Sequence, residues 1–409
     1  MRVRAAFCAC CCKQNKKRSE SSAFCVKMKF RFSFCVFFGI IAYMENIIEK
    51  KKAFLVNVYK DKNDDSVLDE LELLAHTADY EVIGRLKQHK DRPDKAYYLG
   101  TGKLEELKNA VDALEADVVI FDNDVSGSQF NNLEKYLGID VIDRATLILE
   151  IFAKHATSNE GKLQVELARK KHSLPRVLGQ GAVLSRQGGG GGGGGGARRG
   201  AGEQQLELDK RTIRAEIRDL EEKAERLAAA RKLRRTKREN SKIPIVCIVG
   251  YTNAGKSTLM NNLTKAGVLA ENKLFATLDP VTRKLWIAPK KEFMLVDTVG
   301  FISRLPHEFI DAFGSTLEET RYADLILHVV NCQSSDIIKE YDVVESVLEK
   351  IGANGIPTIT VLNKCDEGYP TVCPSGVNPV YVSALTGEGI RSLKEKICLA
   401  LFGEIAEWE

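Results

Sequence analysis

Between residues 53 and 155 the apolar positions switch back and forth between two periods. Short β-rich apolar runs at 53–59, 82–86, 116–121 and 140–142 predict strands. Helical spacing at 66–77, 104–114, 129–137 and 145–155 predicts the helices between them. Regular alternation of this kind favours a parallel sheet covered by helices, here a small α/β domain of about 100 residues.

The pattern changes after residue 159. Leu163, Leu167 and Leu174 share one helix face, and Pro175 is expected to bend or end that helix. Beyond a glycine break, Leu206, Ile213, Ile217, Leu220, Ala224 and Leu227 recur at steps of seven, four, three, four and three, a heptad seam. Two such helices joined by a flexible tip predict an antiparallel hairpin. A lone linker helix is the alternative, and it needs a partner to cover the seam. The tip holds nine consecutive glycines, 188–196, flanked by Arg186, Arg198 and Arg199. A run of this kind has no intrinsic fold, whereas the arginines suit phosphate oxygens. Arg231, Lys232, Arg234, Arg235, Lys237 and Arg238 make a basic cluster near the end of the second helix. It reads either as a solvated face or as a salt-sensitive contact for a phosphate backbone.

From residue 243 to about 402 strand–helix alternation resumes, and here it carries chemistry. The strand 245–249 runs into Gly250-Tyr251-Thr252-Asn253-Ala254-Gly255-Lys256-Ser257 and then a helix opening at Thr258. Strand, glycine loop and helix N-terminus form a phosphate cradle of main-chain N–H groups. Lys256 is placed to reach the β- and γ-phosphates, and the Ser257 hydroxyl to ligate Mg²⁺. Asp297-Thr298-Val299-Gly300 follows the strand 293–296; Asp297 is suited to hold the Mg²⁺ shell through water and the Gly300 N–H to face the γ-phosphate. Asn363-Lys364-Cys365-Asp366 follows the strand 358–362, and the Asp366 carboxylate matches the adjacent N–H donors of guanine, which adenine lacks. Ser383-Ala384-Leu385 offers a backbone N–H to the guanine O6. Between the cradle helix and the strand 284–287 lies Phe275-Ala276-Thr277-Leu278-Asp279-Pro280. A Thr there can ligate Mg²⁺ and sense the γ-phosphate as a two-state switch. Thr277 is the choice and Thr282 the rival.

Together these motifs resemble the translation-factor-class GTPases and, more narrowly, the HflX family. The wording of the cradle, of Phe275–Pro280 and of Asp297–Phe301 carries the resemblance. So do Leu99-Gly100-Thr101-Gly102-Lys103, Ile142-Asp143-Arg144, the segments 161–168 and 184–190, and Gly202-Glu203. The resemblance spans residue 44 to the C-terminus. It implies an N-terminal α/β domain, a helical hairpin and a C-terminal P-loop GTPase domain. It also implies Mg²⁺-dependent GTP hydrolysis on the large (50S-type) ribosomal subunit and its rRNA, with splitting or rescue of stalled ribosomes. By matching position, Thr277 becomes the switch Thr. A nucleotide-gated RNA-remodelling or regulatory adaptor with little turnover is the alternative. The glycine tract is longer than the family pattern, and Ala201 stands where the family has Pro.

Phe301 occupies the place where many GTPases put a water-orienting Gln. An apolar ring cannot polarise water, so hydrolysis is expected to be slow until ribosomes or a cation complete the site. Asn253 resembles the P-loop Asn that lets related GTPases use K⁺; a turn-former tolerant of unusual φ is the competing reading.

Bulk properties refine this picture. A chain of 409 residues predicts two or three domains. With 44% hydrophobic and 28% charged residues it is expected to be globular rather than disordered, and a net charge of +4 argues nothing about nucleic acid. The expected division is 1–43, 44–158, 159–242 and 243–409. Six of the eleven cysteines crowd the first 35 residues, without disulfide or zinc spacing, and the thiols are expected to be reduced and incidental. The apolar stretch 32–43 falls short of the ~20 residues that span a bilayer. Residues 1–43 read as a targeting segment, as a weak anchor, or as sequence upstream of a true start at Met44. The expectation is a cytoplasmic monomer without stable membrane insertion, with membrane association or organelle targeting as alternatives.

Overall fold

The computed structural model describes residues 50–60, 66–187, 196–239, 243–264, 274–275, 278–288, 291–304, 309 and 314–404. The apolar stretch 32–43, glycines 188–195, and both Ala276 and Thr277 lie outside them.

Four parallel strands form the first sheet: β1 (Lys52–Tyr59), β2 (Glu81–His89), β3 (Val118–Phe121) and β4 (Asp140–Asp143), in the order β2-β1-β3-β4. Helices α1 (Ser66–Thr77), α2 (Thr101–Leu114), α3 (Gly127–Leu137) and α4 (Arg144–His155) follow them in turn. Ala53 and Leu55 face one apolar layer with Leu71, Ile148 and Phe152, while Phe54 and Val56 face the other with Leu107, Phe121 and Leu133. Burial on both faces explains why β1 reads as a continuous apolar run. β2 reaches His89, beyond the predicted Leu86, because main-chain pairing with β1 continues to Tyr59↔His89 through polar Lys87 and Gln88. Backbone pairing needs no apolar side chain, so periodicity misses such an end.

α5 (Asn159–Gln187) and α6 (Gly196–Glu239) pack as the antiparallel hairpin. Leu163, Leu167 and Leu174 meet Ile213, Ile217 and Leu220, and Lys170–Glu216 and Lys171–Glu221 ion pairs flank the seam at 2.7 and 2.8 Å. Arg231 pairs with Glu160, so this member of the basic cluster is engaged within the hairpin. Pro175 does not end α5. Contacts beside it hold the helix: the Arg176 guanidinium lies 4.0 Å over the Phe130 ring and donates to Asp143 at 2.8 Å and to Thr146 at 2.6 Å. Gly127 lets α3 approach this turn, since a Cβ there would sit 2.7 Å from the Arg176 Cα.

The second sheet has the order β10-β9-β8-β5-β7-β6. Its strands are β5 (Ile245–Gly250), β6 (Val281–Ala288), β7 (Lys291–Asp297), β8 (Leu325–Asn331), β9 (Thr358–Asn363) and β10 (Val380–Tyr381). All pair in parallel except β6 with β7. Helices α7 (Lys256–Thr264), α8 (Gly314–Arg321), α9 (Ile337–Lys350) and α10 (Ile390–Phe402) complete it. The core of the first sheet does not stop at the hairpin: Leu274, Phe275, Leu278, Val299, Ile302 and Phe309 from the C-terminal half are buried in it.

Candidate functional site

β5, β7 and β9 end at Gly250, Asp297 and Asn363, so three motifs leave the same edge of one parallel sheet. That edge is where open α/β sheets bind ligands. Gly250 has φ +155°, and a Cβ there would collide with the Val329 carbonyl of the neighbouring strand. Gly255, at φ +88°, lies so close to the Asn363 amide that no side chain fits between them. Both positions require glycine for steric reasons.

The motifs are joined directly. Phe301 N–H donates to the Gly250 carbonyl at 3.1 Å and Thr252 N–H donates to the Phe301 carbonyl at 2.7 Å. Asn363 Nδ2 donates to the Ala254 carbonyl at 2.8 Å, and its Oδ1 accepts from Ala384 N–H at 2.9 Å. One buried amide therefore ties the cradle to both candidate base-recognition segments. Asn262 adds a second tie, donating to the Ala384 carbonyl at 3.1 Å. No periodic signal marks this residue. Thr298 anchors its motif from below through a 2.7 Å bond to the Ile248 carbonyl.

Lys256 is buried, and its ammonium curls back onto the Gly250 and Tyr251 carbonyls at 3.1 and 2.8 Å. Burial lowers it to about 8, against the opposing pull of Asp297 and Glu340. The Ser257 hydroxyl donates to Asp297 at 2.7 Å, and Asp297 is fully buried. A hydroxyl and a carboxylate from two loops are the hard oxygen set that Mg²⁺ takes. Residues present thus fit that ion.

Asp366 and Leu385 are exposed at the mouth of the site. Lys364 has φ +66°, and Gln333 Nε2 donates to the carbonyls of Lys364 and Gly368 at 3.4 and 3.0 Å. Asn253 is exposed at φ +60°, the geometry of a turn-former. Phe301 is buried with Val249, Val296 and Leu317, so its ring belongs to the core and leaves the water position to other groups. Thr282, the rival switch residue, is held in β6 opposite Val296.

Part of the predicted set faces the N-terminal sheet instead of the cradle. Phe275 packs edge-on against Phe152 with ring centroids 4.7 Å apart, and Leu278 is buried beside it. Asp279 Oδ2 accepts from Thr157 N–H, Thr157 Oγ1 and Ser158 N–H at 3.0, 2.7 and 2.7 Å, and Oδ1 accepts from the Ser158 hydroxyl. The cradle itself reaches across. Tyr251 Oη donates to Glu70 and accepts from Ser303 N–H at 2.8 Å. Burial, then the Glu70 carboxylate, push that phenol well above its ordinary value. Arg144 donates to Asp122 and Glu70, both at 2.8 Å, and to the Ser303 carbonyl at 3.0 Å, while Arg304 reaches Asp122 at 2.9 Å. A cavity of 860 Å³ opens beside this network, lined by Ile302, Arg304, one face of α9 from Ile337 to Lys350, and Thr371 and Val372, and the motif residues do not line it.

Comparison with known proteins agrees with this geometry. Residues 65–153 match the family described as GTP-binding GTPase N-terminal, 155–238 the GTP-binding GTPase Middle Region, and 245–364 the 50S ribosome-binding GTPase. GTPase HflX of Caldanaerobacter subterraneus subsp. tengcongensis is 50% identical over 357 residues, 87% of this chain and 82% of that protein. GTPase HflX of Escherichia coli (strain K12) is 42% identical over 367 residues, 87% and 84% of the two chains. A solved GTP-binding protein from Sulfolobus solfataricus in complex with GDP is 26% identical, covers 86% of this chain and 99% of its own, and has a TM-score of 0.46. Among the described residues no helix is long and apolar enough to cross a membrane. Identity of 42% and 50% to these two GTPases over 87% of the chain, added to a glycine cradle set between strand and helix, places the chain in the GTPase HflX family, a family of P-loop enzymes that hydrolyse GTP.

Proposed function

We propose that this chain is a GTP-driven factor that acts on the large ribosomal subunit and splits or rescues stalled ribosomes. The carrying observation is that the segments after the cradle hold the other two parts of the molecule. Asp279 grips Thr157 and Ser158 at the root of the hairpin, and Ser303 and Arg304 grip Glu70, Asp122 and Arg144. Gain or loss of a γ-phosphate at the cradle is then felt at the N-terminal sheet and the hairpin. The family description 50S ribosome-binding GTPase for residues 245–364 supports the partner. Lys232 and the arginines beside the glycine tract supply charge for rRNA.

In this reading the main-chain amides of residues 250–258 hold the phosphates, and Lys256 leaves its two carbonyls for the β- and γ-phosphate oxygens. Ser257 and Thr277 would hold Mg²⁺, with Asp297 acting through water, and an ion held there would supply positive charge against the phosphates. Gly300 N–H faces the γ-phosphate; Asp366 accepts from guanine, and a backbone N–H of Ser383-Ala384-Leu385 donates to its O6. Phe301 supplies no water-orienting group, so turnover alone is slow and the ribosome stimulates it. The protein works as a cytoplasmic monomer. Asn253 would be a ligand for K⁺, and equal rates in KCl and NaCl remove that role.

The test is GTP turnover with and without purified 50S subunits, beside co-sedimentation in GTP-analogue, GDP and nucleotide-free states. Strong stimulation, lost in Lys256→Ala, is the expected result. Flat turnover with retained RNA binding favours a nucleotide-gated adaptor instead.

A further inference from the structure

β8 and β9 are parallel neighbours whose last residues, Asn331 and Asn363, lie side by side. The chain beyond each carries a cysteine. Cys332 N–H donates to the Asn363 carbonyl at 2.9 Å, which fixes the start of both loops. The Cys332 and Cys365 sulfurs are 3.2 Å apart, and Cys365 Sγ also donates to the Leu362 carbonyl at 3.1 Å. Both thiols are buried among Val330, Ile337 and Leu362. Cys373, half-buried, sits at the rim of the same cluster, 3.7 Å from the Tyr381 hydroxyl. Among the described residues no group of three potential metal ligands occurs, so this is a dithiol rather than a metal centre. Cys365 lies between Lys364 and Asp366, inside the base-recognition segment.

We propose that Cys332 and Cys365 form a reversible disulfide that weakens guanine-nucleotide binding. The inference rests on the reading of Asp366 as the guanine acceptor. In the oxidation the two thiols give up two electrons and two protons to hydrogen peroxide; its O–O bond breaks, two waters leave, and one S–S bond forms. A bonded pair stands at ~2.05 Å, so the sulfurs must close by roughly 1 Å. That movement draws Cys365 toward β8 and loads the neighbouring Asp366, whose binding geometry tolerates only ~0.5 Å of displacement. Losing one charge-assisted hydrogen bond to the base weakens binding about tenfold. Burial, followed by the two neighbouring thiols, pushes Cys332 well above its ordinary value, which disfavours the thiolate and keeps the pair reduced until a peroxide is present in excess.

The experiment treats the full chain with hydrogen peroxide, quenches it, maps the peptides without reductant, and titrates a fluorescent GDP before oxidation, after it, and after dithiothreitol. A Cys332–Cys365 link, roughly tenfold weaker binding and recovery in dithiothreitol are expected. Cys332→Ser, or Cys332→Ala should the first fold poorly, keeps the reduced affinity and removes the response. Binding of GDP by the reduced protein with no such link under peroxide, or a link joining Cys373 to Cys365 instead, overturns the proposal and leaves the guanine reading standing. A correct link with unchanged affinity overturns the coupling. Reduced protein that binds no guanosine nucleotide overturns the guanine reading and the coupling with it, whatever the peptide map shows.

Discussion

Asp279 and Ser158, 121 residues apart, meet twice: the Ser158 N–H donates to Oδ2 at 2.7 Å and the Ser158 hydroxyl to Oδ1. Ser158 also accepts from Gly161 N–H at 2.8 Å, so one residue caps the first turn of α5 and holds the segment that carries Asp279. Burial raises the Asp279 carboxyl, and the bonds from Ser158 and Thr157 outweigh it and leave it below its ordinary value.

Asp279→Ala removes the acceptor for all four donors. A bond to a charged group contributes roughly 1.5–3 kcal/mol, and because water replaces the lost partner at this exposed site the four together are worth about as much as one such bond. Thermal unfolding is expected to show a loss of about 2 kcal/mol, with Asp279→Asn intermediate. An unchanged melting temperature in both variants sinks the role of this contact.

Lys256 is expected to set the pH response of nucleotide binding. Its ammonium is lowered from 10.5 to about 8, chiefly by burial. For the unliganded protein, the cost of burying this charge is present in full below about pH 8 and relieved as pH rises toward the unfolded value, so its effect on stability improves with pH. Nucleotide affinity runs the opposite way, because phosphate needs the charged form. Affinity is expected to fall roughly fourfold between about pH 7 and about pH 8.5. Lys256→Arg flattens that profile if it still binds, and a flat profile in the unaltered protein contradicts the assignment.

Tyr251 and Glu70 join the cradle loop to α1. Tyr251→Phe also strips the acceptor from Ser303 N–H. Each single change is expected to cost roughly 1–3 kcal/mol by urea unfolding. The double variant Tyr251→Phe, Glu70→Gln should cost less than the sum, with a coupling of about 0.5–3 kcal/mol. Strict additivity rules out a shared contact.

Asp143 controls the acid limb of stability. Burial alone raises its carboxyl, but hydrogen bonding from His172, the Arg176 charge 2.8 Å away and the Thr146 hydroxyl overcome this and hold it well below the usual carboxylate range. With a depressed folded value, its contribution is complete above about pH 4 and drains away as pH falls toward the folded value. Asp143→Ala leaves the Arg176 and His172 side chains without their buried acceptor and is expected to lose about 3–5 kcal/mol at neutral pH. Circular dichroism followed from about pH 6 to about pH 2 should show a shallower acid slope for the variant.

The strand and helix pattern was legible because burial on two faces imposes period and run length, as β1 and α1 illustrate. The cradle was legible because Gly250 and Gly255 answer steric demands that a local motif can express. What escaped reading is pairing across distance. Glu70 with Tyr251, Asp122 with Arg304 and Ser158 with Asp279 each join residues more than 100 positions apart, and neither partner carries a periodic mark. Pro175 does not end its helix for the same reason: propensity is local, whereas Arg176, Phe130 and Gly127 act through tertiary contact. Phe275 and Asp279, read by motif alone, turn toward Phe152 and Ser158 because the N-terminal sheet supplies the burial and the donors.

Asp143 and Arg144 are consecutive, yet the first serves α5 through His172 and Arg176 and the second serves Ser303. Neighbouring Cα atoms stand ~3.8 Å apart across a planar, inextensible link. The pair therefore ties two distant contacts to one peptide unit: the Ser303 carbonyl and the middle of α5 are held by side chains rooted on adjacent residues.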